Sequence, residues 1–370
     1  MINKKRLITT FIELIKIDSL SLKEGKVSKY IKNQLKNLGL KVIEDTTAKK
    51  INGESGNIIA VLKNNLKRRA HRIMFNCHLD TVEPGVRIKP RIRGNIIRSD
   101  GKTILAADDK AGIAILLEAI KIIREKKIKH PELVFVFTVA EEIGILGAKN
   151  ISKKLIKADY GFVIDSHGKV SNIINQAPSQ DTFEIKIIGK ASHAGMCPEK
   201  GISAIKVASE AISKIKIGRI DKETTANIGV IKGGHATNII TEEVLIKGEA
   251  RSLNINKLKR AVKNIKNIFQ KTADKYKAKM HFTKTREYNS FYVSKNKNPV
   301  KLALKALSNI GKKGNVLSTG GGSDANIFNS IGIPSIILSA GYEKPHAKDE
   351  YIKINRMIEA VSLILNIIEG

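Results

Sequence analysis

The sequence predicts an α/β fold, in which a mostly parallel (mixed) sheet is flanked by helices and interrupted by an inserted α+β domain. Short, almost uninterrupted apolar runs at 72–77, 133–139 and 162–164 are typical of buried parallel strands. Between the first two runs, apolar residues recur at helical spacing within 111–126. Such an alternation of strand and helix patterns favours a parallel sheet that helices cover.

The inserted domain is predicted from a change of pattern in the middle of the chain. Polar and apolar residues alternate at 182–188 and 243–251, as in strands with one solvent-facing side. Helical patterns at 201–215 and 257–276 lie among them, an order typical of an antiparallel sheet with helices on one face. The buried-strand pattern returns at 335–339. We therefore expect one domain from residues 1–178 and 289–370, and an inserted domain of ferredoxin-like type from 179–288.

Length and composition limit the classes of protein that the chain can represent. With 370 residues, 42% of them hydrophobic and 27% charged, the chain suits two compact domains rather than a disordered protein. The net charge of +31 would ordinarily suggest a nucleic-acid or membrane-surface partner. The lysines are scattered through every segment, however, and aromatic residues form only 5% of the chain. We expect nonspecific attraction to nucleic acid at most.

The cellular location is predicted from the first residues and the cysteines. The basic start is followed by an apolar run in which Glu13 and Lys16 recur at helical spacing, which indicates an amphipathic helix rather than a signal peptide. No apolar stretch approaches the roughly 20 residues that cross a bilayer. Cys77 and Cys197 cannot form a disulfide framework, which favours a reducing compartment. We expect a cytoplasmic protein without a membrane partner.

Acidic residues and histidines follow four of the predicted strands, where ligands collect in open parallel sheets. They occur at His78 with Asp80, Glu141 with Glu142, Asp165 with His167, and His346, while Asp108 and Asp109 precede the predicted helix. Singly, each could be a solvated loop residue, and either aspartate could be a helix N-cap. Together, several buried carboxylates would be prohibitively costly without cations. Imidazole with carboxylate, without paired thiolates, suits Zn²⁺ in a hydrolytic site.

The balance of charge predicts two metal ions rather than one. Two Zn²⁺ ions carry four positive charges, which Asp108, Glu142, Asp165 and one bridging hydroxide would neutralise. One carboxylate would then bridge both ions, and each ion would also take one histidine and one terminal carboxylate. Asp80 lies two residues after His78, so on an extended backbone it would face the same way and accept the spare imidazole N–H.

Seven motifs resemble those of the dizinc peptidase family that includes peptidase T, aminoacylases, succinyl-diaminopimelate desuccinylases and glutamate carboxypeptidases. They span nearly the whole chain in the family's order: His78-Leu-Asp-Thr-Val, Ala107-Asp-Asp-Lys-Ala-Gly, Ala140-Glu-Glu-Ile-Gly, Val163-Ile-Asp-Ser, Gly189-Lys-Ala-Ser-His-Ala-Gly, Gly320-Gly-Gly-Ser-Asp-Ala-Asn and Gly341-Tyr-Glu-Lys-Pro-His. The second and sixth motifs are most similar to the peptidase T-like branch.

The resemblance implies a role for each residue of the site. It implies two Zn²⁺ ions per subunit, with Co²⁺ or Mn²⁺ as substitutes, held by His78, Asp108, Glu142, Asp165 and His346. Asp108 would bridge the ions, and Asp80 would support the ligands. Adjacent carboxylates on an extended backbone point apart, so Glu141 and Glu142 would not bind the same ion, and the resemblance implies that Glu141 is the catalytic base. It also implies a cis peptide between Asp108 and Asp109.

Substrate contacts are expected from five further residues: His193, Asn238, Arg251, Gly321 and Gly322. The resemblance implies that His193 approaches the scissile carbonyl, in its own subunit or across a dimer; the alternative is a hydrogen-bonded loop histidine. Arg251 would pair with a substrate carboxylate, or would only form a surface ion pair. The glycines would let the substrate main chain come close, and a phosphate site there is disfavoured because the run lacks a Gly-Lys-Ser/Thr ending.

The expected activity is zinc-dependent hydrolysis of amide bonds in short peptides, by an aminopeptidase acting on di- or tripeptides. Asp165 favours this, because aspartate at this ligand position resembles the family's aminopeptidases and glutamate its carboxypeptidases and deacylases. The alternative is an amidase that releases an amino acid from an N-acyl amino acid, and a third hypothesis is a polyanion-binding protein with a vestigial site. The resemblance also implies that the inserted domain is a lid and a homodimerisation surface.

Overall fold

The structure is a computed structural model that describes residues 2–67 and 70–370. The chain divides into two compact units. The first consists of Met1–Gln176, Tyr292–Ser318 and Ser323–Gly370, and the second of Ala177–Phe291 and Thr319–Gly322. Within the described residues, no helix is both long enough and apolar enough to cross a membrane.

Within residues 2–67 and 70–177, the structure has five α-helices and eight strands. In chain order these are α1 (Lys4–Lys16), α2 (Gly25–Asn37), β1 (Lys41–Glu44), α3 (Thr47–Ile51), β2 (Ile58–Leu62), β3 (Ile73–His78), β4 (Arg91–Arg93), β5 (Ile96–Arg98), α4 (Ala107–Glu125), β6 (Leu133–Thr138), α5 (Leu146–Asn150), β7 (Tyr160–Val163) and β8 (Asn172–Ala177).

The rest of the chain adds five helices and ten strands. The middle segment forms β9 (Ser179–Ile188), α6 (Ala204–Lys214), β10 (Gly218–Arg219), β11 (Thr224–Gly233), β12 (Glu243–Ser252), α7 (Ile255–Lys275) and β13 (Lys279–Tyr288). The last segment forms β14 (Phe291–Tyr292), α8 (Asn298–Asn309), β15 (Asn315–Ser318), α9 (Asp324–Ser330), β16 (Ser335–Leu338), β17 (Tyr342–Glu343), β18 (Tyr351–Lys353) and α10 (Ile354–Glu369).

The main sheet has nine strands in the order β1-β2-β6-β3-β7-β16-β8-β14, with β15 beside β8. The central strands β6, β3, β7 and β16 are parallel, and every residue of β3 and β6 is buried. Helix α4 packs against α1 and α10. The predicted mostly parallel sheet flanked by helices is therefore confirmed. The pattern missed the antiparallel strands β1 and β2. Strand β1 is short and largely exposed and so carries no buried-strand signal, whereas β2 is almost fully buried and was overlooked.

The second unit contains a five-stranded antiparallel sheet in the order β10-β11-β12-β9-β13. Its core joins Phe183 and Ile185 of β9 to Val207 of α6 and to Val262 and Phe269 of α7. Apart from the short β10, its elements follow one another as strand, helix, strand, strand, helix, strand. This order matches the ferredoxin-like α+β arrangement that the sequence predicted for the inserted segment. A role as lid or dimerisation surface stays a prediction.

A third sheet was not predicted from the sequence. It contains four short antiparallel strands in the order β17-β18-β5-β4. Strands β4 and β5 form a hairpin whose two-residue turn is Gly94-Asn95, with Gly94 at a φ of 56°. Strands of two or three residues are too short to show a recognisable periodicity, which explains why the sequence pattern did not reveal them.

Candidate metal centre

The predicted metal ligands gather at the carboxyl ends of the central parallel strands. His78 is the last residue of β3, Glu142 follows β6, and Asp165 follows β7. Asp108 lies at the start of α4, and His346 lies in the loop between β17 and β18. Because β3, β6 and β7 run in the same direction, their ends meet at one edge of the sheet. The sheet thus positions three of the five side chains directly.

Asp108 occupies the middle of this cluster. Its Oδ1 lies 3.1 Å from Nε2 of His78, and its Oδ2 lies 3.4 Å from Nε2 of His346. Nε2 of His346 is also 2.8 Å from Oε1 of Glu142. Oδ1 of Asp165 lies 3.9 Å from Nε2 of His78. One carboxylate therefore contacts both histidines, and each histidine has a further acid beside it.

The donor atoms are close enough to surround cations. His78, Asp108 and Glu142 offer one group of ligand atoms within 4.8 Å of one another, and His78, Asp109 and Asp165 offer a second group. Asp109 was not among the predicted ligands; its buried Oδ1 lacks a hydrogen-bond partner among the described residues. A set of imidazole and carboxylate donors fits Zn²⁺. The peptide between Asp108 and Asp109 is cis, as the resemblance implied.

Asp80 connects His78 to the segment that carries the two glutamates. Its Oδ1 accepts the backbone N–H of Glu141 at 2.9 Å, and its Oδ2 accepts that of Glu142 at 3.1 Å and the hydroxyl of Ser21 at 2.6 Å. Nδ1 of His78 lies 3.0 Å from the carbonyl oxygen of Asp80 and 3.4 Å from its carboxylate. The nearest acceptor for the imidazole is thus the backbone of Asp80, whereas its carboxylate mainly holds the glutamate segment.

The glutamate pair lies on a turn, and the expectation of an extended backbone there was wrong. Ala140 has a φ of 50°, and the carbonyl of Glu141 accepts the N–H groups of Gly144 at 3.1 Å and Ile145 at 2.7 Å. Left-handed φ values are costly for residues with a Cβ, so surrounding contacts must hold Ala140. The turn still separates the two side chains. Glu142 contacts His346, while the Glu141 carboxylate has no hydrogen-bond partner among the described residues.

Comparison with known proteins identifies the family. The sequence profile of Peptidase family M20/M25/M40 matches residues 74–370. The chain belongs to this family. It is 42% identical over 369 residues to the uncharacterized protein YqjE of Bacillus subtilis, covering 100% of this chain and 99% of that protein.

Two solved structures are also similar to this M20/M25/M40 peptidase. A tripeptidase from Staphylococcus aureus is 40% identical, with a TM-score of 0.96, and covers 100% of this chain and 98% of its own. The aminopeptidase PepT from Bacillus cereus is 41% identical, with a TM-score of 0.92 and the same coverage. The predicted relationship to the peptidase T branch and the predicted class of enzyme, a metallo-exopeptidase, are confirmed.

Besides Asp109, two residues that help to build the site of this M20/M25/M40 peptidase were missed from the sequence. The hydroxyl of Tyr342 lies 3.1 Å from Oδ1 of both Asp108 and Asp165. The buried carboxylate of Glu350 accepts the N–H groups of Leu105 and Ala106 at 2.8 Å each and of Asp108 at 3.1 Å. Tyr342 lies in one of the family motifs, which was its only signal. Glu350 follows no local pattern, because its role depends on tertiary contacts.

Burial and hydrogen bonding shift the pKa values of the acids in the cluster in opposite directions. Burial raises the pKa of Asp165 well above its ordinary value, and the neighbouring Asp108 charge adds to the shift. Burial also acts on Asp108, but hydrogen bonds from His346 and His78 outweigh it and lower its pKa. Hydrogen bonds to Asp108 and Glu142 raise the pKa of His346 to about 10. The acids outnumber the histidines, so the cluster favours added positive charge.

The five predicted substrate residues all lie in the second unit. His193 is exposed, and its Nδ1 accepts the N–H groups of Gly195 and Met196 at 3.2 Å each. It lies beside Asn238, whose carbonyl accepts the N–H of Ala194 at 2.9 Å. His193 is therefore a hydrogen-bonded loop histidine, as one of the two sequence interpretations had it, and a contact with substrate stays a prediction.

Arg251 and the glycines have partners within the second unit. The guanidinium of Arg251 pairs with Glu249 through two hydrogen bonds of 2.9 and 3.1 Å. A Cβ on Gly322 would lie 2.1 Å from the ring of Tyr288, so the close packing of that ring requires glycine. A Cβ on Gly321 would meet nothing nearer than 3.9 Å. Of the two predicted glycines, Gly321 thus leaves open space beside the main chain and Gly322 does not.

Proposed function

We propose that this enzyme is a dizinc aminopeptidase that releases the N-terminal residue of di- or tripeptides, with Co²⁺ or Mn²⁺ as substitutes for zinc. The observation that carries the proposal is the position of Asp108, which reaches His78 at 3.1 Å and His346 at 3.4 Å. A carboxylate between two histidines, each with its own further acid, is the donor arrangement that a pair of ions requires. The names of the similar tripeptidase and aminopeptidase support the substrate class.

The proposed ligands divide into two sets that share Asp108. His78 and Asp165 would hold one ion, and Glu142 and His346 would hold the other. When bound, the two ions would polarise the scissile carbonyl and lower the pKa of a water molecule. Asp80 would keep the first set oriented through its backbone contact with His78.

Glu141 would act as the general base and then as the general acid. Its carboxylate would take a proton from the attacking water and return it to the leaving amine. Burial raises the pKa of Glu141 well above its ordinary value, which makes the carboxylate a stronger base. The hydrogen bond from its backbone N–H to Asp80 holds the start of the turn in place. The backbone from which the Glu141 side chain extends is therefore fixed.

The second unit would contribute substrate contacts and a homodimer surface. In this proposal His193 would approach the substrate carbonyl, and the adjacent Asn238 would contact the polar groups beside it. Gly321 would let the substrate main chain come close. Arg251 would bind the substrate carboxylate, and to do so its guanidinium would have to exchange the bidentate contact with Glu249 for one with the substrate. We place the enzyme in the cytoplasm, in agreement with two cysteines that are both free.

A comparison of four substrates tests the proposal. Tri-alanine, N-acetyl-tri-alanine, tri-alanine amide and N-acetyl-methionine would be incubated with the zinc-loaded enzyme, with a chelator, and after Zn²⁺ or Co²⁺ is returned. We expect metal-dependent cleavage of tri-alanine and, less efficiently, of its amide, since both have a free amino terminus but only tri-alanine has the carboxylate that Arg251 would bind. Preference for N-acetyl-methionine would instead identify an amidase. Chelator-insensitive or absent turnover, together with tight salt-sensitive RNA binding, would support the polyanion hypothesis.

A further inference from the structure

The hairpin of β4 and β5 presents three arginines on one face. In its antiparallel register Arg91 lies directly opposite Arg98, and Arg93 lies opposite Ile96. Alternate residues of a strand share a face, so the three guanidinium groups leave the hairpin on the same side. The opposite face carries Ile97, which is completely buried. Like charges placed directly opposite each other destabilise a strand pair, so the hairpin carries a repulsion that an anion would relieve.

These arginines line a cavity of about 400 Å³ in the first unit. Ile96 and Lys348 also line it, and Lys348 belongs to the loop between β17 and β18. The volume falls within the range of small-molecule sites, roughly 300 to 1,000 Å³. The cavity therefore offers four cationic side chains around a space that a compact ligand can fill.

The protein itself compensates only part of this charge. Two acids, Asp100 and Asp349, line the cavity beside the four cations, and Asp349 also pairs with Lys344. Across residues 2–67 and 70–370, neither Arg91 nor Arg93 has an ion pair or a hydrogen bond from its side chain. A surplus of positive charge thus remains at the cavity.

We propose that this arginine pocket, formed by Arg91, Arg93, Arg98 and Lys348, binds a compact oligophosphate anion. Guanidinium groups pair with phosphate oxygens through two parallel hydrogen bonds, and three of them suit a ligand with several linked phosphates. The free ion and the phosphate tail of a nucleotide share this chemistry. The site lies outside the proposed metal ligands and goes beyond the proposed peptidase activity.

The geometry favours a small anion over a nucleic-acid strand. Proteins that bind single strands combine a long basic groove with aromatic rings on which bases stack. Here the basic side chains surround one cavity, and the nearby ring of Tyr351 is covered by the guanidinium of Arg98, 4.9 Å from the ring centroid. This ring is therefore not free on that face for a base, and the phosphate contacts must supply the affinity.

Binding of inorganic tripolyphosphate to the full-length, metal-loaded enzyme tests the proposal by calorimetry at physiological salt. We expect saturable binding at one site per chain. The triple substitution R91Q/R93Q/R98Q should weaken it by at least about tenfold, because hydrogen bonds between charged groups are lost. The matched control is K259Q/R260Q/K263Q, which removes three positive charges from exposed positions of α7 and should leave the affinity unchanged. The triple Arg→Lys variant keeps the charge and should still bind more weakly than the wild type, because lysine cannot form the bidentate contact.

The other outcomes separate the sources of phosphate and the rival explanations. If ATP binds with an affinity similar to that of tripolyphosphate, the pocket is assigned to nucleotide phosphates. If tripolyphosphate binds and ATP does not, the pocket is assigned to the free ion. Equal weakening by both glutamine variants, or no saturable binding, would overturn the proposal in favour of general charge attraction. An experiment with a short single-stranded RNA could also overturn the proposal. It would do so if the RNA displaced tripolyphosphate from the wild type and lost more affinity than tripolyphosphate does in R91Q/R93Q/R98Q. Unchanged tri-alanine turnover and a thermal midpoint no lower than that of the wild type would show that the variants fold. R93Q alone, which leaves the Arg91–Arg98 pair in place, should weaken tripolyphosphate binding less than the triple variant.

Discussion

The hydroxyl of Tyr342 lies 3.1 Å from Oδ1 of Asp108, the carboxylate at the middle of the cluster. It also lies 3.1 Å from Oδ1 of Asp165, and its single proton can be donated to only one of them at a time. Burial raises the pKa of Tyr342 well above its ordinary value, so the hydroxyl remains a donor at neutral pH. Tyr342 therefore offers a hydrogen-bond donor to either of two proposed ligands.

Replacing Tyr342 by phenylalanine should weaken metal binding and leave the fold intact. The ring would still fill its buried space, but Asp108 and Asp165 would lose the donor that orients them. Loss of such a supporting hydrogen bond typically reduces metal affinity by about 10- to 100-fold. A competition titration against a chelator measures the change. Tyr292, whose side chain is 64% exposed, gives the control Y292F, and an affinity of Y342F equal to that control would show that the hydroxyl has no such role.

Glu141→Gln should greatly reduce turnover while both metal ions stay bound. Glutamine keeps the size of the side chain but cannot accept the proton of the attacking water. General acid and base catalysis typically contributes roughly 100- to 10,000-fold, so kcat on tri-alanine should fall within or beyond that range. Metal content is measured on the same sample. The exposed Glu369 gives the matched control E369Q. A loss of metal equal to the loss of activity would indicate that Glu141 is a ligand instead of the base.

The sequence predicted the central sheet and the cluster for one shared reason. Buried parallel strands have an almost unbroken apolar pattern, and in such sheets polar ligands follow the strand ends. His78, Glu142 and Asp165 each follow such a strand, so their proximity was predictable without coordinates. Asp108 and His346 lie on a helix start and in a loop; the pattern of acids and histidines already included them, and the family resemblance added their roles as ligands.

The supporting contacts could not be predicted in the same way. Glu350 accepts three backbone N–H groups from a segment more than 200 residues earlier in the chain, and no local pattern encodes such a contact. The turn at Ala140 was mistaken for extended backbone, because alanine gives no sign of a left-handed φ. In the second unit, the close approach of the Tyr288 ring to Gly322 was not predicted either, and a role of Gly322 in substrate access stays a prediction. Tertiary packing decided each of these features.

Substituting His346 by alanine should remove one metal ion and retain the other. His346 contacts Glu142 at 2.8 Å and Asp108 at 3.4 Å, and without its imidazole that proposed position keeps only carboxylates from the protein. His78, Asp108 and Asp165 would be unchanged. Elemental analysis should therefore give about one zinc per chain, and tri-alanine turnover should fall by at least about 100-fold.

The exposed His281 on β13 supplies the control for that experiment. The variant H281A should keep two ions and full turnover, since the side chain lies in the second unit and belongs to no proposed ligand set. Two ions retained in H346A would contradict the assignment of His346. Loss of both ions would show that the two positions are not independent.

Glu24 should make the stability of the protein depend on pH. Its Oε1 accepts the N–H groups of Leu22 and Ala140 at 2.9 Å each, whereas its buried Oε2 has no partner among the described residues. Burial, with the nearby charge of Asp80, raises the pKa of Glu24 from 4.5 to about 7. The folded state therefore binds this proton more tightly than the unfolded chain. The stabilisation is full below about pH 4.5 and is lost as the pH rises through 7.

Glu24→Gln should remove that dependence, because glutamine resembles the protonated acid at every pH. Between about pH 5 and pH 8, the free energy of unfolding of the wild type should fall relative to that of E24Q by on the order of 3 kcal/mol. Denaturant unfolding of both proteins across this range, with the same metal content, measures the difference. E369Q should follow the wild type. Parallel curves for E24Q and the wild type would mean that the folded and unfolded states bind the Glu24 proton equally.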